Sequence, residues 1–201
     1  MEKIEIHSDF IYKFKAPAEI LRLGKTLASE ARFSPGTVRV RQVILTPDDG
    51  ATPLINWFNK CLEEVKTDLK LICGRLETTL TWVNRSESGE WHHLHRHPNS
   101  WASGIFYLSE SPAKTWLSKR SHWFPEQPVL ELRQDEELVI EKVTSEPGKL
   151  IVFPSWIPHS VTEHFGPEPR YTISFNSFPL GQMGNSVNLT TMNLSHNYPE
   201  K

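Results

Sequence analysis

The chain has 201 residues and a formal net charge of −2 at pH 7, a length that suits one domain with a substantial buried core. The nearly balanced charge excludes a globally basic nucleic-acid-binding protein. No apolar run approaches the ~18 residues that a membrane helix needs, and residues 1–10 contain no signal-peptide core. With only two cysteines, the sequence predicts a soluble cytoplasmic protein without disulfides.

The first 74 residues are predicted to form a support of strands and helices. Apolar residues alternate between Ile4 and Phe14, which is typical of a β-strand. Two later segments have apolar residues at spacings of three and four, which predicts amphipathic helices packed on a core. These residues are Ile20, Leu23, Leu27 and Ala31 in the first helix, and Ile55, Phe58, Leu62, Val65 and Leu69 in the second. Between the helices, Val38 and Val40 begin a predicted strand that ends at the turn sequence of residues 46–50.

From residue 75 to residue 180 the pattern is that of short β-strands. Alternation begins at Leu76, and short apolar runs separated by turn sequences follow at residues 104–108, 115–117, 129–132, 138–140, 149–153 and 170–178. This spacing predicts an antiparallel sandwich or barrel with the helices packed outside one sheet. We expect residues 1–201 to form a single domain, with residues 181–201, rich in Asn and Ser, as a C-terminal arm or frayed tail.

Four of the nine histidines fall within six residues, at positions 92, 93, 95 and 97. Because side chains two apart share a face of a strand, His93, His95 and His97 are predicted to project together. Neighbouring neutral imidazoles are the usual start of a transition-metal site. An exposed polar strand that is rich in histidine is the alternative. The separate His122 and His164 are interpreted as surface histidines.

A second group of polar residues follows about sixty residues later. An apolar strand and a proline-bounded turn lead to His159, and eleven residues further Arg170, Thr172 and Ser174 fall on one face of another predicted strand. The interval between His97 and His159 has room for roughly five strands with their turns. A sandwich can therefore bring His159 back to the first histidines.

These motifs, in this order, resemble those of the 2-oxoglutarate- and Fe(II)-dependent oxygenases, and most closely the short prolyl-hydroxylase-like members common in phage. The resemblance covers about residues 50–178. It is carried by His95-Arg96-His97-Pro98, by Ser103-Gly104-Ile105-Phe106-Tyr107-Leu108, by Phe153 to His159 and by Arg170 to Asn176. It implies a double-stranded β-helix, a jelly-roll or cupin-like fold, buttressed by the N-terminal helices.

The resemblance also implies residue roles. His95 and His159 resemble the two histidine ligands of Fe(II), and Arg170 resembles the residue that binds the distal carboxylate of 2-oxoglutarate, with Thr172 as its hydroxyl partner. A planar guanidinium pairs a carboxylate through two parallel hydrogen bonds, which agrees with that role. The implied reaction is hydroxylation of an unidentified substrate, with decarboxylation of 2-oxoglutarate to succinate.

One position departs from the family pattern. The wider superfamily has a carboxylate where this chain has His97, and the nearest acidic residues, Glu87 and Glu90, precede the motif. Either His97 is a third ligand, or two histidines hold the iron with an anion or water; a shifted pair, His93 with His95, is a further alternative. A third histidine removes one negative charge from the iron, which should raise its reduction potential.

Several alternatives stay open. Asn84 and Tyr107 are candidates for contacts with 2-oxoglutarate, or they hydrogen-bond only within the sheet. A three-histidine cupin-type dioxygenase would use no 2-oxoglutarate and would not need Arg170. A jelly-roll binding or structural protein would hold zinc or no metal and show no turnover. The substrate is expected to be a small molecule or a peptide, without a membrane or nucleic-acid partner, and a homodimer through the C-terminal arm is possible.

Overall fold

The computed structural model describes residues 1–6, 9–33, 41–118 and 139–195. Its helices are α1 (Ala18–Glu30) and α2 (Thr52–Asp68), with a short 3-10 turn at Pro47–Asp49. Its strands are β1 (Glu2–Ile6), β2 (Asp9–Lys15), β3 (Arg41–Leu45), β4 (Cys73–Ser86), β5 (His92–His95), β6 (Ala102–Tyr107), β7 (Ser111–Ser118), β8 (Val139–Ser145), β9 (Lys149–Pro154), β10 (His159–Val161), β11 (Arg170–Met183) and β12 (Met192–Leu194). The predictions for Val38, Val40, His122 and residues 129–132 lie outside the described residues.

These strands form two sheets in which every pairing is antiparallel. The larger sheet has the order β1-β2-β9-β6-β11-β4-β3, with β12 also paired to β11. The smaller sheet has the order β5-β10-β7-β8. Strands that are distant in the chain are therefore neighbours in each sheet, and β11 comes to lie between β6 and β4. The predicted antiparallel sandwich is confirmed.

Both helices form where the apolar periodicity predicts them, although Ala31 and Leu69 lie just past their last residues. Helix α1 starts directly after Pro17 and buries Leu27 and Ala28. Helix α2 buries the predicted stripe, including Phe58, whose ring centroid lies 4.6 Å from that of Phe175 on β11. Together with apolar residues of the larger sheet, these side chains form one hydrophobic core. The helices thus cover the outer face of the larger sheet, as expected from burial of one apolar stripe per helix.

A second hydrophobic core lies between the two sheets. It contains Ile105 and Tyr107 from β6 together with Leu117 and Val143 from the smaller sheet. The intervening Phe106 belongs to the core beneath the helices, because successive side chains of a strand point to opposite faces. The β6 backbone is therefore buried from both sides, and it supports the pocket described below.

Glycine is required at position 104 by a close contact. A Cβ atom on Gly104 would lie only 2.2 Å from the Phe175 ring, well inside the sum of van der Waals radii. Gly104 and Phe175 are register partners on β6 and β11. The ring of Phe175 therefore occupies the space that a side chain at position 104 would need.

The two ends of the chain extend the larger sheet further than predicted. The alternating segment that begins at Ile4 forms two antiparallel strands, β1 and β2, and β2 pairs with β9. At the other end, β11 continues to Met183 and residues 181–183 pair with β12. In the described part of the chain, neither helix is long and apolar enough to cross a membrane.

Candidate metal centre and its pocket

A pocket opens on the inner side of the sandwich. Strands β4, β6 and β11 of the larger sheet line one wall, and β5 and β10 of the smaller sheet line the other. The pocket contains both groups of polar residues that the sequence singled out, the histidines around position 95 and the residues that begin at Arg170. The fold therefore brings together chain segments separated by more than sixty residues.

Three histidines form a candidate metal centre in this pocket. One ring nitrogen of each of His95, His97 and His159 lies within 4.8 Å of the others. His95 and His159 are direct register partners on β5 and β10. His97 follows the end of β5, and its backbone N–H donates to the Ser155 carbonyl at 3.1 Å. The three imidazoles can hold one metal ion.

The hydrogen bonds of two histidines determine which nitrogen faces the centre. His159 Nδ1 donates to the Ile157 carbonyl at 3.1 Å, and His95 Nδ1 donates to the His93 carbonyl at 2.8 Å. Since a carbonyl only accepts, each Nδ1 carries the proton and each Nε2 keeps a lone pair. His159 Nε2 lies 3.1 Å from His97 Nε2. Histidines anchored to carbonyls through the other ring nitrogen are the usual ligands of protein-bound metals.

Burial keeps these imidazoles neutral. It lowers the pKa of His97 to about 4, with the nearby His95 adding to the shift. It also lowers the pKa of His95, and the pKa of His159 falls well below the ordinary value. A neutral imidazole is the form that binds a cation. At neutral pH the cluster therefore needs to lose no proton before a metal binds.

The prediction that His93, His95 and His97 project from one face is partly wrong. His92 lines the pocket, whereas His93 is exposed. His159 pairs with His95 but Val161 pairs with His92, so β5 has one residue more than β10 over the same length. This β-bulge places residues three apart, rather than two, on the same side of the strand. His92 is thus a pocket residue that the two-residue period of a strand did not predict.

Arg170 contributes a buried positive charge to the same pocket. The residue is 4 % exposed, and its Nε and Nη2 have no hydrogen-bond partner in the described structure. Its guanidinium carbon lies 5.7 Å from the centroid of the Tyr107 ring, and burial lowers its pKa. Burying unpaired N–H groups is costly, and a carboxylate satisfies two of them at once. The donor set at Arg170 fits a carboxylate ligand.

Asn84 connects the residues around Arg170. Its Oδ1 accepts hydrogen bonds from Trp82 Nε1 at 3.0 Å and Gln42 Nε2 at 2.9 Å. Its Nδ2 donates to Thr172 Oγ1 at 3.2 Å and Ser174 Oγ at 2.9 Å. Because both hydroxyls accept from Asn84, both can donate their own proton to a ligand in the pocket. Asn84 therefore orients Thr172 and Ser174.

Tyr107 is placed behind the pocket wall. It does not line the pocket, and its fully buried hydroxyl donates to Thr115 Oγ1 at 2.7 Å. Burial raises its pKa to about 12. Its ring packs beside the Arg170 guanidinium. A direct contact between Tyr107 and 2-oxoglutarate stays a prediction, and the observed contact is with Arg170.

The interpretation of His164 as a surface histidine is wrong. The residue is 2 % exposed. Its Nε2 donates to the Glu168 carbonyl at 2.9 Å, so its Nδ1 accepts from the Ser111 hydroxyl at 2.9 Å. His164 therefore joins the loop before β11 to the start of β7, outside the pocket. Its neighbours, Glu163 and the exposed Phe165, belong to no alternating or helical apolar pattern, so no periodicity indicated its burial.

Comparisons with known proteins agree with this geometry. The family model described as "Putative 2OG-Fe(II) oxygenase" matches residues 80–176, which include every histidine of the candidate centre and Arg170. No curated protein sequence matches the chain.

Similar solved structures share the fold over most of the chain. A prolyl-4-hydroxylase from Pseudomonas putida is 16% identical, covers 85% of this chain and 93% of its own, and has a TM-score of 0.60. The viral collagen prolyl hydroxylase of Paramecium Bursaria Chlorella virus-1, in a 2-oxoglutarate complex, is 14% identical over 83% of this chain and 94% of its own, with a TM-score of 0.55. HygX from Streptomyces hygroscopicus, with nickel and 2-oxoglutarate bound, is 12% identical over 93% and 92%, with a TM-score of 0.63.

At these identities the solved structures establish the fold alone. The family model adds a sequence match over residues 80–176, which contain most strands of the β core. The fold is the expected double-stranded β-helix with helices against one sheet. The resemblance of this chain to the 2-oxoglutarate- and Fe(II)-dependent oxygenases, expected from its motifs, is confirmed.

Proposed function

We propose that this protein is a non-haem, Fe(II)- and 2-oxoglutarate-dependent oxygenase that hydroxylates a substrate C–H bond. The observation that carries the proposal is the position of Arg170, a buried guanidinium with two unpaired nitrogens, in the same pocket as a three-histidine cluster. A lone histidine cluster fits many metals, and a lone buried arginine fits many anions. Their combination in one pocket fits a metal cofactor together with a dicarboxylate.

Each residue then has a role that its contacts support. His95, His97 and His159 hold the iron through Nε2, and Arg170 pairs the distal carboxylate of 2-oxoglutarate. Thr172 donates its hydroxyl proton to that carboxylate, because its oxygen already accepts from Asn84. When bound, Fe(II) and 2-oxoglutarate would supply the oxidation: 2-oxoglutarate, O₂ and a substrate C–H bond would give succinate, carbon dioxide and the substrate with a C–OH group. The burial of His159 and Arg170 limits the access of water to the reacting groups.

Hydroxylation is the outcome we favour because prolyl hydroxylases are among the similar structures. The same fold is also found in the α-ketoglutarate-dependent epimerase SnoN and in the carbocyclase SnoK. The fold alone therefore does not determine the reaction, so the class of substrate is the next question for this chain.

We place the protein in the cytoplasm, acting on a small molecule or a peptide. Cys61 and Cys73 are both unpaired, and burial raises the pKa of the Cys61 thiol to about 12, which suits a reducing compartment.

A homodimer through the β11–β12 hairpin is compatible with the exposed Val187 and Leu189 near its tip.

The test is an anaerobic titration of Fe(II) and then 2-oxoglutarate into metal-free protein, followed by visible absorption. We expect a weak metal-to-ligand charge-transfer band in the wild type and in the control His93→Ala, since His93 is exposed. The band should disappear in His159→Ala and require much more 2-oxoglutarate in Arg170→Ala. Binding of iron without any band in the wild type would contradict the proposal.

A second candidate is a three-histidine dioxygenase that uses no 2-oxoglutarate, and the absence of a carboxylate from the described metal cluster favours it. Such an enzyme has no need for the Arg170 guanidinium. Oxygen consumption with a substrate would then persist in Arg170→Ala without added 2-oxoglutarate. Metal-dependent stability without oxygen consumption under any condition would instead indicate a binding or structural protein.

A further inference from the structure

The pocket has an unbalanced positive charge once its proposed ligands are counted. Three neutral imidazoles leave a divalent metal with its full charge of two, and Arg170 adds one more. 2-Oxoglutarate brings two negative charges, so one positive charge is left over. The carboxylate found in the wider superfamily at the position of His97 would cancel it. An uncompensated charge in a buried site is costly, and the usual remedy is a counter-ion.

The described chain does not supply that counter-ion. Of the residues with described positions that line the pocket, none is Asp or Glu. Besides the histidines, the ionisable side chain that lines the pocket in the described chain is the cationic Arg170. The pocket can therefore accommodate one negative charge more than 2-oxoglutarate brings.

His92 is placed to hold a second anion. The bulge in β5 turns it into the pocket, where its ring centroid lies 4.3 Å from that of His95. Its contacts with described residues are ring contacts with His93 and His95, and no described residue hydrogen-bonds its ring nitrogens. A neutral imidazole has one N–H to donate, and hydrogen bonds to charged acceptors are the stronger ones. The metal-ligand set does not use this residue, and the proposed 2-oxoglutarate contacts at Arg170 and Thr172 do not use it either.

We propose that the substrate of this protein carries an anionic group, a carboxylate or a phosphate, which enters the pocket beside 2-oxoglutarate and accepts a hydrogen bond from His92. The inference rests on the proposed function and narrows it, because it names the substrate class. The anion neutralises the charge that His97 leaves uncompensated, and His92 positions it near the metal. A neutral substrate would lack both interactions.

The test uses protein loaded with Co(II), whose visible spectrum reports on the metal environment without turnover. 2-Oxoglutarate is first titrated to saturation, and acetate, inorganic phosphate, chloride and the neutral isostere acetamide are then titrated separately. The matched variants are His92→Leu and His93→Leu, which remove neighbouring imidazoles inside and outside the pocket. A third variant, His97→Asp, places a carboxylate in the cluster and removes the surplus charge.

We expect acetate or phosphate, but not acetamide, to produce a saturable change in the wild type and in His93→Leu. The Kd for the anion should rise about tenfold or more in His92→Leu, the effect of losing one hydrogen bond to a charged group. His97→Asp should raise the Kd for the anion to a similar extent, and this variant should still bind 2-oxoglutarate.

Three results would overturn the inference and leave the proposed function standing. In the first, 2-oxoglutarate binds but acetate and phosphate bind no better than acetamide. In the second, the anion affinity is equal in all variants; in the third, the apparent Kd for acetate rises in proportion to the 2-oxoglutarate concentration. Tighter binding of chloride than of acetate or phosphate would assign the position to an inorganic ion and overturn the substrate assignment. Failure of 2-oxoglutarate to bind at all would refute the proposed function, and the inference with it.

Discussion

Asn84 and Thr172 are register partners across β4 and β11, and Asn84 Nδ2 lies 3.2 Å from Thr172 Oγ1. All four hydrogen-bonding positions of the Asn84 amide are occupied by described residues. The hydroxyl of Thr172 is consequently oriented by the protein before any ligand arrives. This preorganisation reduces the entropy lost when a ligand accepts the Thr172 proton.

Replacing Asn84 should weaken 2-oxoglutarate binding without affecting the metal. In Asn84→Leu, Thr172 and Ser174 lose the donor that orients them, so we expect the Kd for 2-oxoglutarate to rise about tenfold. Titration calorimetry of Co(II) and then of 2-oxoglutarate measures both affinities. Gln42→Leu, which removes only one donor to Asn84, should have a smaller effect. An equal loss of metal affinity would show that Asn84 supports the whole pocket instead.

Metal binding should stabilise the folded protein through the three histidines. Zn(II) at about a hundred times its Kd should add about 2.7 kcal/mol to the free energy of unfolding, since it binds the folded cluster. A thermal unfolding scan with and without Zn(II) measures the rise in Tm. The rise should vanish in His159→Ala and persist in His93→Ala. A similar rise in both variants would place the metal elsewhere.

The metal-free protein should lose stability as the pH falls below about 6.5. In the unfolded chain these histidines take up protons near pH 6.5, while in the folded chain the lowered pKa of His97, about 4, keeps it neutral. The unfolded state therefore binds more protons throughout this window, and the free energy of unfolding falls from pH 6.5 towards pH 4. Above about pH 7.5 both states are neutral at these positions, and the contribution is constant.

Urea denaturation at about pH 7.5, 6 and 5 measures this slope. His97→Asn should make the slope shallower, because one of the titrating groups is removed. Carboxyl groups with lowered pKa, such as those of Asp68 and Glu146, act in the same direction but only below about pH 4. A free energy of unfolding that stays constant down to pH 5 would contradict the prediction.

Gly104→Ala should destabilise the fold through its contact with Phe175. The added methyl group would overlap the Phe175 ring, and overpacking of this kind typically costs about 1–3 kcal/mol. Urea denaturation measures the loss. Phe175→Leu removes the overlapping ring, so Gly104→Ala should cost less in that background. Equal costs in the two backgrounds would mean that the two positions are independent.

The helices and most core strands could be predicted because a single periodicity covers each of them. Helix α2 buries the apolar stripe that its spacing defines, and β11 alternates between Arg170 and Thr172 on the pocket side and Ile173 on the helix side. One buried face per element is enough to specify such a pattern. The same alternation made the proximity of Arg170 and Thr172 predictable.

The role of His92 could not be predicted from the same rule. A bulge adds one residue to one strand and changes which side chains face inwards beyond it. The bulge appears only when β5 is paired with β10, whose His159 lies 64 residues after His95. Local periodicity carries no information about this pairing, so His93 was assigned to the face that His92 occupies. The burial of His164 was missed for a related reason, since its partners Ser111 and Glu168 lie in loops and strand ends.

Strand β11 has a consequence for engineering this protein. Its Arg170, Thr172 and Ser174 line the pocket, while Ile173 and Phe175 between them belong to the core beneath the helices. A backbone shift caused by repacking that core would be transmitted directly to the ligand-binding side chains. Variants selected for a new substrate are therefore safer when they keep the histidines and change a pocket residue of the other sheet, such as Val161 on β10. Variants selected for heat resistance should leave the interior of β11 unchanged.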